Sequence, residues 1–577
     1  MKKQRFLSVL TALTVLTCGM SGYIASAAAK GSGDVDENGS VQIADAILLA
    51  RYIAEDTDIT VTTQGLLNAD MNGDEAVNAD DAAALLSWLA GTESFPPAAG
   101  RSVDLLEGYA RGGGKAESLG TEFSAAQLDF TAKLLKELDA EKEDKGGNLL
   151  ISPLSVSLAL GMTMNGAKGQ TQSEMLSLLG GSLTAEQLNG SYLSWQNSIL
   201  NRKDAQLDLA NAIWFRDNEA RIIVPETFRQ TVADYFDASL YKAPFDETTL
   251  EDVNGWVKEK THEMIPSILK KVEPEHIMYL LNALAFEAEW AQQYAKEQVG
   301  SGVFCCADGT ARQVTMMHGE ESTYIESKNA VGFIKPFAGD GKSKGSYSFA
   351  AVLPNKGISI EEYVQNLNAE ELQTLLKSRK TTTIQTAMPQ FSFDFGKSLK
   401  PALANLGMPT AFSDYADFSG LNERATPENP TFIEDVIHKT FIDVGPAGAK
   451  AGAATLVIMA DKGMPFDVKH ITLDRPFLFM ILDNETDLPV FIGTLLTPDG
   501  EEIVPPVETG VTAGPLYDDT TTTTEVTTEH WDCDPNSGSS STTTTTTTSQ
   551  IIYWKTTVST TTMVYENPVI RTTAAAE

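Results

Sequence analysis

The chain is poor in the residues that build the commonest enzymatic sites. Its 577 residues hold four cysteines, at 18, 305, 306 and 533, and none forms a CxxC pair. That spacing suggests neither a zinc site nor a thioredoxin-like dithiol, and no disulfide framework is visible. Adjacent Cys305 and Cys306 are badly placed to bond each other. None of the six histidines stands in HExxH; His262-Glu263 lacks the second histidine. No GxSxG elbow and no Walker loop occurs. A glycosidase pair of carboxylates needs no local motif, so a carbohydrate-active enzyme stays open on these grounds alone. Positive charge is short as well: 43 Lys and Arg stand against 78 Asp and Glu, a net charge of −35. Nucleic acid and anionic membrane both need clustered cations, so this balance argues against either partner. No apolar run reaches the ~20 residues of a membrane span.

The length is too great for one core, so several domains are expected. Residues 1–27 read as a secretory signal: Lys2, Lys3 and Arg5, an apolar run from Phe6 to Leu16, then the small-x-small site Ala25-Ser26-Ala27. Thr17-Cys18 is a poor match to a lipoprotein site, which is the alternative. The mature chain is therefore expected outside the cytoplasm.

Residues 30–93 contain a duplication. Asp34, Asp36, Asn38, Ser40 and Asp45 occupy positions one, three, five, seven and twelve of one loop; Asp70, Asn72, Asp74, Ala76 and Asp81 occupy those of another, 36 residues on. This is the spacing that wraps oxygen ligands around Ca²⁺, with position seven offering a backbone carbonyl. Gly39 suits the sharp turn at position six, where the second copy has Glu75. Two acidic surface turns are the bland alternative, but each copy runs into an apolar helix, at Ala46–Ile53 and Ala82–Leu89. Neither loop is expected to follow a helix, as it would in a true EF-hand. The pair resembles a dockerin, the module that plugs secreted proteins of cellulose-degrading bacteria into a cohesin on a scaffold protein. The resemblance implies two Ca²⁺ ions, a cohesin partner and contacts near Ala50-Arg51 and Leu86-Ser87.

Residues 94–119, with Pro96-Pro97 and Gly112-Gly113-Gly114, read as a linker. Residues 120–498 mix helices and strands as an α+β domain. Helical spacing appears at Ala125–Leu138, Val156–Asn165, Asp252–Met264, Ile360–Leu376 and Leu399–Leu406, with Thr171 and Glu174 as a capping box. Strands are expected at Gln206–Phe215, Met278–Glu287, Ser346–Leu353 and Thr381–Phe395. Residues 499–577 are a Thr-rich, low-complexity tail, expected to be extended.

In this domain Asn148-x-x-x-Ser152-Pro153-x-Ser155, Gly166-Ala-x-Gly169-x-Thr171, Ala210-Asn211-x-x-Trp214-Phe215 and Asn282-Ala283 with Trp290 occur in order. Thr315-Met316-Met317, Met388-Pro389-Gln390-Phe391, Leu406-Gly407-Met408, His438-Lys439-x-Phe441 and Asp474-Arg475-Pro476-Phe477 follow. The combination resembles the serpins, a family of serine protease inhibitors, from about Thr121 to Pro498. It implies three β-sheets, about nine helices and an exposed reactive loop, beside a small all-α calcium-binding dockerin. It gives Ser152, Ser155, Asn282 and His438 the place of the shutter beneath the parting strands, and Trp290 that of the breach where insertion begins. Packed core groups are the alternative for each. No catalytic residue is implied, so the chain is expected not to be an enzyme.

The stretch Gly445–Met464 then has a reading. Alone it is a Gly- and Ala-rich bridge between two strands, compatible with a plain solvated loop. As a serpin reactive loop it is bait whose first half inserts into a sheet after a target serine protease cuts it. Gly448, Ala449, Ala451, Gly452, Ala453, Ala454 and Thr455 are small enough to slide between strands. Pro446 and Lys450 stand where the family usually has Glu, and Pro446 raises the question of whether the hinge can move. The family count puts the reactive bond at Lys462-Gly463, suited to trypsin-like enzymes, with Met459-Ala460 and Met464-Pro465 as alternatives. The expected function is a secreted suicide inhibitor on an extracellular or cell-surface cellulosome. The alternative is a non-inhibitory serpin that serves as a binding or structural component.

Overall fold

A computed structural model describes residues 33–89, 102–449, 468–503 and 521–551, short stretches within these ranges excepted. The signal segment, residues 450–467 and the chain beyond residue 551 lie outside the described residues.

The described part of the N-terminal module contains three helices, Ile43–Ile53, Thr63–Ala69 and Ala79–Leu89. Val35, Val41, Ala46, Leu49, Ala69, Met71, Ala82, Leu85 and Leu86 form its buried core. The middle helix corrects the expectation that neither loop follows a helix. Thr62 caps it by accepting from the Gly65 N–H at 2.9 Å, and it ends on Asp70, the first residue of the second loop. Its seven residues carry too short a period to stand out in the sequence.

The supposed linker ends early. Val103–Asp104 pairs with Tyr241 and Lys242 at the edge of a sheet, and Leu106 is buried in the main core. Among the described residues, nine α-helices then lie between Thr121 and Asn405. In Pro153–Met164 all twelve residues are buried. Ser152 caps this helix and Pro153 starts it, where a missing N–H costs nothing. Expected Ile360–Leu376 is two helices, broken at Leu367, because Asn368 caps a second one by accepting from Glu371 N at 2.9 Å. The expected Thr171–Glu174 box does not form: that helix begins at Gly169. Thr171 Oγ1 instead accepts from Asp417 N, and Glu174 accepts from the hydroxyl and N–H of Thr410.

Two large sheets share the core. The central one runs, in spatial order, Val103–Asp104, Ser239–Ala243, Gln206–Arg216, Met278–Glu289, Gly448–Ala449, Val436–Val444 and Phe391–Ser398. The second contains Val468–Thr472, Lys380–Pro389, Ala311–Glu326, Ala330–Pro336, Tyr347–Pro354, Phe477–Asp483, Pro489–Leu495 and Leu149–Ile151, with Val299–Cys305 and Glu501–Glu502 also on Ala311–Glu326. The expected strand Thr381–Phe395 is therefore two strands in different sheets, parted at Gln390.

Part of the tail is paired. Thr521–Asp534 and Gly538–Ile551 form an antiparallel hairpin, and Asn536 O accepts from Gly357 N at 3.1 Å. Cys533 is bonded to Cys305. This corrects the reading that no disulfide framework exists: a bridge across 228 residues leaves no local spacing to recognise. Cys306 is buried and free, and burial pushes its thiol up, away from reactivity.

The disulfide spans the reactive stretch. Cleavage anywhere between Ala449 and Val468 should leave both pieces joined through Cys305–Cys533. A denaturing gel should show one band without reductant and two with it; two bands without reductant would contradict the bridge.

Candidate functional site

The site lies where the central sheet is split. Met278–Glu289 and Val436–Val444 are parallel neighbours. They pair directly from Leu280↔Val436 to Leu284↔Thr440, with Asn282↔His438 in the middle. Past that point Gly448–Ala449 lies between them, antiparallel to both: Gly448↔Glu289 and Ala449↔Ala288 on one side, Val444↔Ala449 on the other.

A tight turn brings the chain back. The Gly445 N–H donates to Gly448 O at 2.9 Å, closing the four residues Gly445-Pro446-Ala447-Gly448. Pro446 is the second of these residues, and having no N–H it leaves no donor to be paired there. Three successive carbonyls of this turn are held by one segment. Trp290 Nε1 donates to Gly445 O at 2.8 Å, Tyr294 N to Pro446 O at 3.0 Å and Trp290 N to Ala447 O at 2.9 Å. Trp290 stacks on Phe337, ring centroids 4.5 Å apart. Gly448 is required here: a Cβ would come within 2.1 Å of Ala288 O. Ala449 is 1% exposed.

Beneath the split, buried polar groups meet in the otherwise apolar core. Ser152 N donates to His438 Nε2 at 3.1 Å, and His438 Nδ1 bonds Asn282 Oδ1. Asn282 Nδ2 donates to Ser155 Oγ and Asn211 Oδ1, and Ser155 Oγ donates to Asn211 Oδ1 at 3.3 Å. The predicted Ser152, Ser155, Asn282 and His438 are thus brought together. Asn211, part of the motif Ala210-Asn211-x-x-Trp214-Phe215 but given no shutter role, belongs with them. Its signal was a lone amide inside Leu209-Ala-Asn-Ala-Ile213, and the register sets it opposite Asn282.

The two imidazole contacts define one protonation state. Nε2 accepts from Ser152, so Nδ1 carries the hydrogen given to Asn282. Burial pushes His438 down to about 3, and a second proton on Nε2 would face the Ser152 N–H. His438 therefore holds the sheet together and does not exchange protons.

In the N-terminal module, oxygens of Asp34, Asp36 and Asp45 lie within 4.8 Å of one another. Asp45 accepts from Val35 N at 2.7 Å, Asp36 N at 3.1 Å and Gln42 N at 2.8 Å. Burial above all, with the Asp36 charge, raises its affinity for a proton. A divalent cation fits this convergence of hard anionic oxygens. Asn68 Nδ2 ties the second half to the first through Asp34 O at 2.7 Å. In the second loop Asp70 and Asp81 are buried, Asp81 accepts from Asn78 N at 2.8 Å, and Ala76 lies at the surface. Asn38, Ser40, Asn72 and Asp74 lie outside the described residues. Of the expected partner contacts, Arg51 is exposed and paired with Asp56, Ala50 is half-buried, and Ser87's side chain is outside the description. Leu86 is corrected, being packed in the module's own core. Exposed apolar side chains of the described module include Ile43, Ile47, Tyr52 and Leu67. Ala451, Gly452, Ala453, Ala454, Thr455, Lys462 and Gly463 also lie outside the described residues.

A family model described as Serpin (serine protease inhibitor) matches residues 125–498, and one described as a type I dockerin domain matches residues 32–89. The chain is 28% identical to Serpin-ZXA of Oryza sativa subsp. japonica over 387 residues, 65% of this chain and 97% of that protein. It is 30% identical to Iripin-3 of Ixodes ricinus over 383 residues, 64% of this chain and 94% of that one. The thermophilic serpin tengpin, in the native state, superposes with a TM-score of 0.64 at 39% identity, covering 69% of this chain and 100% of tengpin. Thyroxine-binding globulin in complex with thyroxine shares the fold at 24% identity and a TM-score of 0.56, covering 65% and 99%.

A neutral, buried His438 makes stability depend on pH with a fixed sign. The unfolded chain gains a proton below about 6.5 and the folded one does not, so stability present above that value falls as pH drops. The slope for this group is about 1.4 kcal/mol per pH unit. Urea unfolding should show it between pH 6.5 and 5, and His438→Gln should flatten it. An equal slope in the variant would contradict the assignment.

Proposed function

Because the chain belongs to the serpin family and carries a type I dockerin domain, we propose that it is a secreted suicide inhibitor of trypsin-like serine proteases, held by a cohesin on a cellulosome scaffold. Serpins are generally inhibitors and not enzymes, so the chemistry belongs to the target. The observation that carries the reading is Gly448–Ala449, a two-residue strand already seated between the two central strands.

The target's serine attacks the carbonyl of Lys462, forms an acyl-enzyme and releases the Gly463 amine. The freed segment then extends the short strand. Continuing the strand registers, Lys450 would come level with Glu287 and Asp443, both half-buried acids, and Ala451 with Phe286 and Ile442. Ala453 would reach Leu284 and Thr440, where the direct pairing starts, and Thr455 would reach Asn282 and His438. The inward positions are small, and the one long side chain, Lys450, lands on the outer face beside two acids. Pro446 stays in its turn throughout, so it presents no obstacle. The protease travels with the loop, and a shift of ~1 Å in its catalytic groups can cost ~100-fold in rate.

In the dockerin, Asp34, Asp36 and Asp45 would hold one Ca²⁺, with Asn38 and the Ser40 carbonyl; Asp70, Asn72, Asp74, the Ala76 carbonyl and Asp81 would hold a second. The ion supplies the positive charge that lets these carboxylates converge. Exposed Ile43, Ile47 and Tyr52 offer apolar surface to a cohesin. The disulfide supports an oxidising, extracellular setting, and among the described residues no helix is long and apolar enough to cross a membrane.

Incubation with trypsin should yield a denaturant-stable complex of the two chains. Lys462→Phe should slow its formation at least about 30-fold, since losing one partner of a buried charge pair costs about 2 kcal/mol or more. A clipped chain without complex would favour the non-inhibitory alternative.

Excess chelator should abolish capture by cohesin and melt the N-terminal helices, while the main thermal transition stays in place. Full capture in chelator would sink the calcium assignment.

A further inference from the structure

A buried ion pair lies behind the segment that grips the hinge. Lys335 Nζ is 2.7 Å from Glu321 Oε1, and the two residues are 3% and 8% exposed. Lys335 also donates to Gln292 O at 3.0 Å. Its charge sits 5.3 Å from the Trp290 ring centroid and 4.4 Å from that of Tyr294. These are the residues whose N–H groups hold Gly445, Pro446 and Ala447 from the other side. Three links thus run in series: Glu321 to Lys335, Lys335 to the segment Trp290–Tyr294, and that segment to the turn.

Stability alone does not account for this arrangement. A buried ion pair contributes little that a packed apolar pair of similar volume would not. The pair supplies position. Glu321 Oε1 faces the ammonium at 2.7 Å and sets where it lies. Only the charged form serves both rings by cation–π attraction.

We propose that Glu321 and Lys335 are positioning residues for loop insertion: they fix Trp290–Tyr294 so that its donors hold the turn and keep Gly448–Ala449 engaged between the strands. The effect on inhibition rests on the inhibitory reading above, whereas the effect on the hinge does not.

The test uses the full chain with Lys335→Met and with the double variant Glu321→Leu/Lys335→Met. The second leaves no buried charge, so it carries the test if the first fails to fold. Backbone amide exchange is followed by mass spectrometry at Gly445–Ala449 and, as an internal reference, at Leu280–Leu284. Exchange at the hinge should quicken at least tenfold while the reference stays unchanged. With trypsin, the number of inhibitor molecules consumed per protease trapped should rise at least threefold, with the rate of loop cleavage kept within twofold. Unchanged hinge exchange in the double variant would overturn the proposal, and so would equal acceleration at the reference, the mark of general loosening. If the parent chain traps no protease, the inhibitory reading fails while the exchange comparison still decides the role of the pair.

Discussion

The rest of the structure depends on an unfinished pairing between Met278–Glu289 and Val436–Val444. Below, five residue pairs join these strands directly and in parallel. Above, two residues of the following loop separate them. Continued insertion would exchange one parallel ladder for two antiparallel ones. Antiparallel pairing is slightly more stable per residue, and each added hydrogen bond contributes about 1 kcal/mol net. The exchange is therefore downhill. What prevents it is connectivity: the far end of the loop is Val468–Thr472, held in the other sheet by its pairing with Lys380–Pro389. An uncut loop cannot enter one sheet fully while anchored in another. On the proposed function, cutting would remove the restraint, and the intact chain would be kinetically trapped.

Two local chemistries make the trap workable. At the top, Gly448 lets the backbone pass close to Ala288 O, and Trp290 and Tyr294 satisfy carbonyls that would otherwise be left unpaired in the breach. In the middle of the zipper, Ser152, Ser155, Asn211, Asn282 and His438 satisfy one another. A buried polar network resists slow drift because every broken bond leaves an unpaired group. It can also reopen and re-form around an incoming strand, which an interlocked aliphatic layer would not do.

Much of this was legible in the sequence, and the limits were physical. The small residues of Gly445–Met464 and the motifs around Ser152, Asn282, Trp290 and His438 are short-range signals, so a sequence displays them directly. Pro446 raises a question a sequence does not settle, because it does not say which backbone groups around the proline are held; here its carbonyl accepts from Tyr294 N. Asn211 stands in the motif Ala210-Asn211-x-x-Trp214-Phe215 without an assigned role, because only register sets it beside Asn282. The Cys305–Cys533 bridge and the split of Thr381–Phe395 between sheets are long-range facts with no local imprint. Glu321 and Lys335 belong to no motif; only burial places them behind Trp290.

Cutting the loop should let it finish the strand that Gly448–Ala449 begins. The most direct test compares thermal unfolding of the intact chain with that of a chain nicked in the loop by a protease that escapes capture. Two antiparallel ladders gained for one parallel ladder lost, at about 1 kcal/mol per bond, should raise the midpoint by about 10 °C or more. A nicked chain that melts at the intact midpoint or below would show that the loop stays outside the sheet.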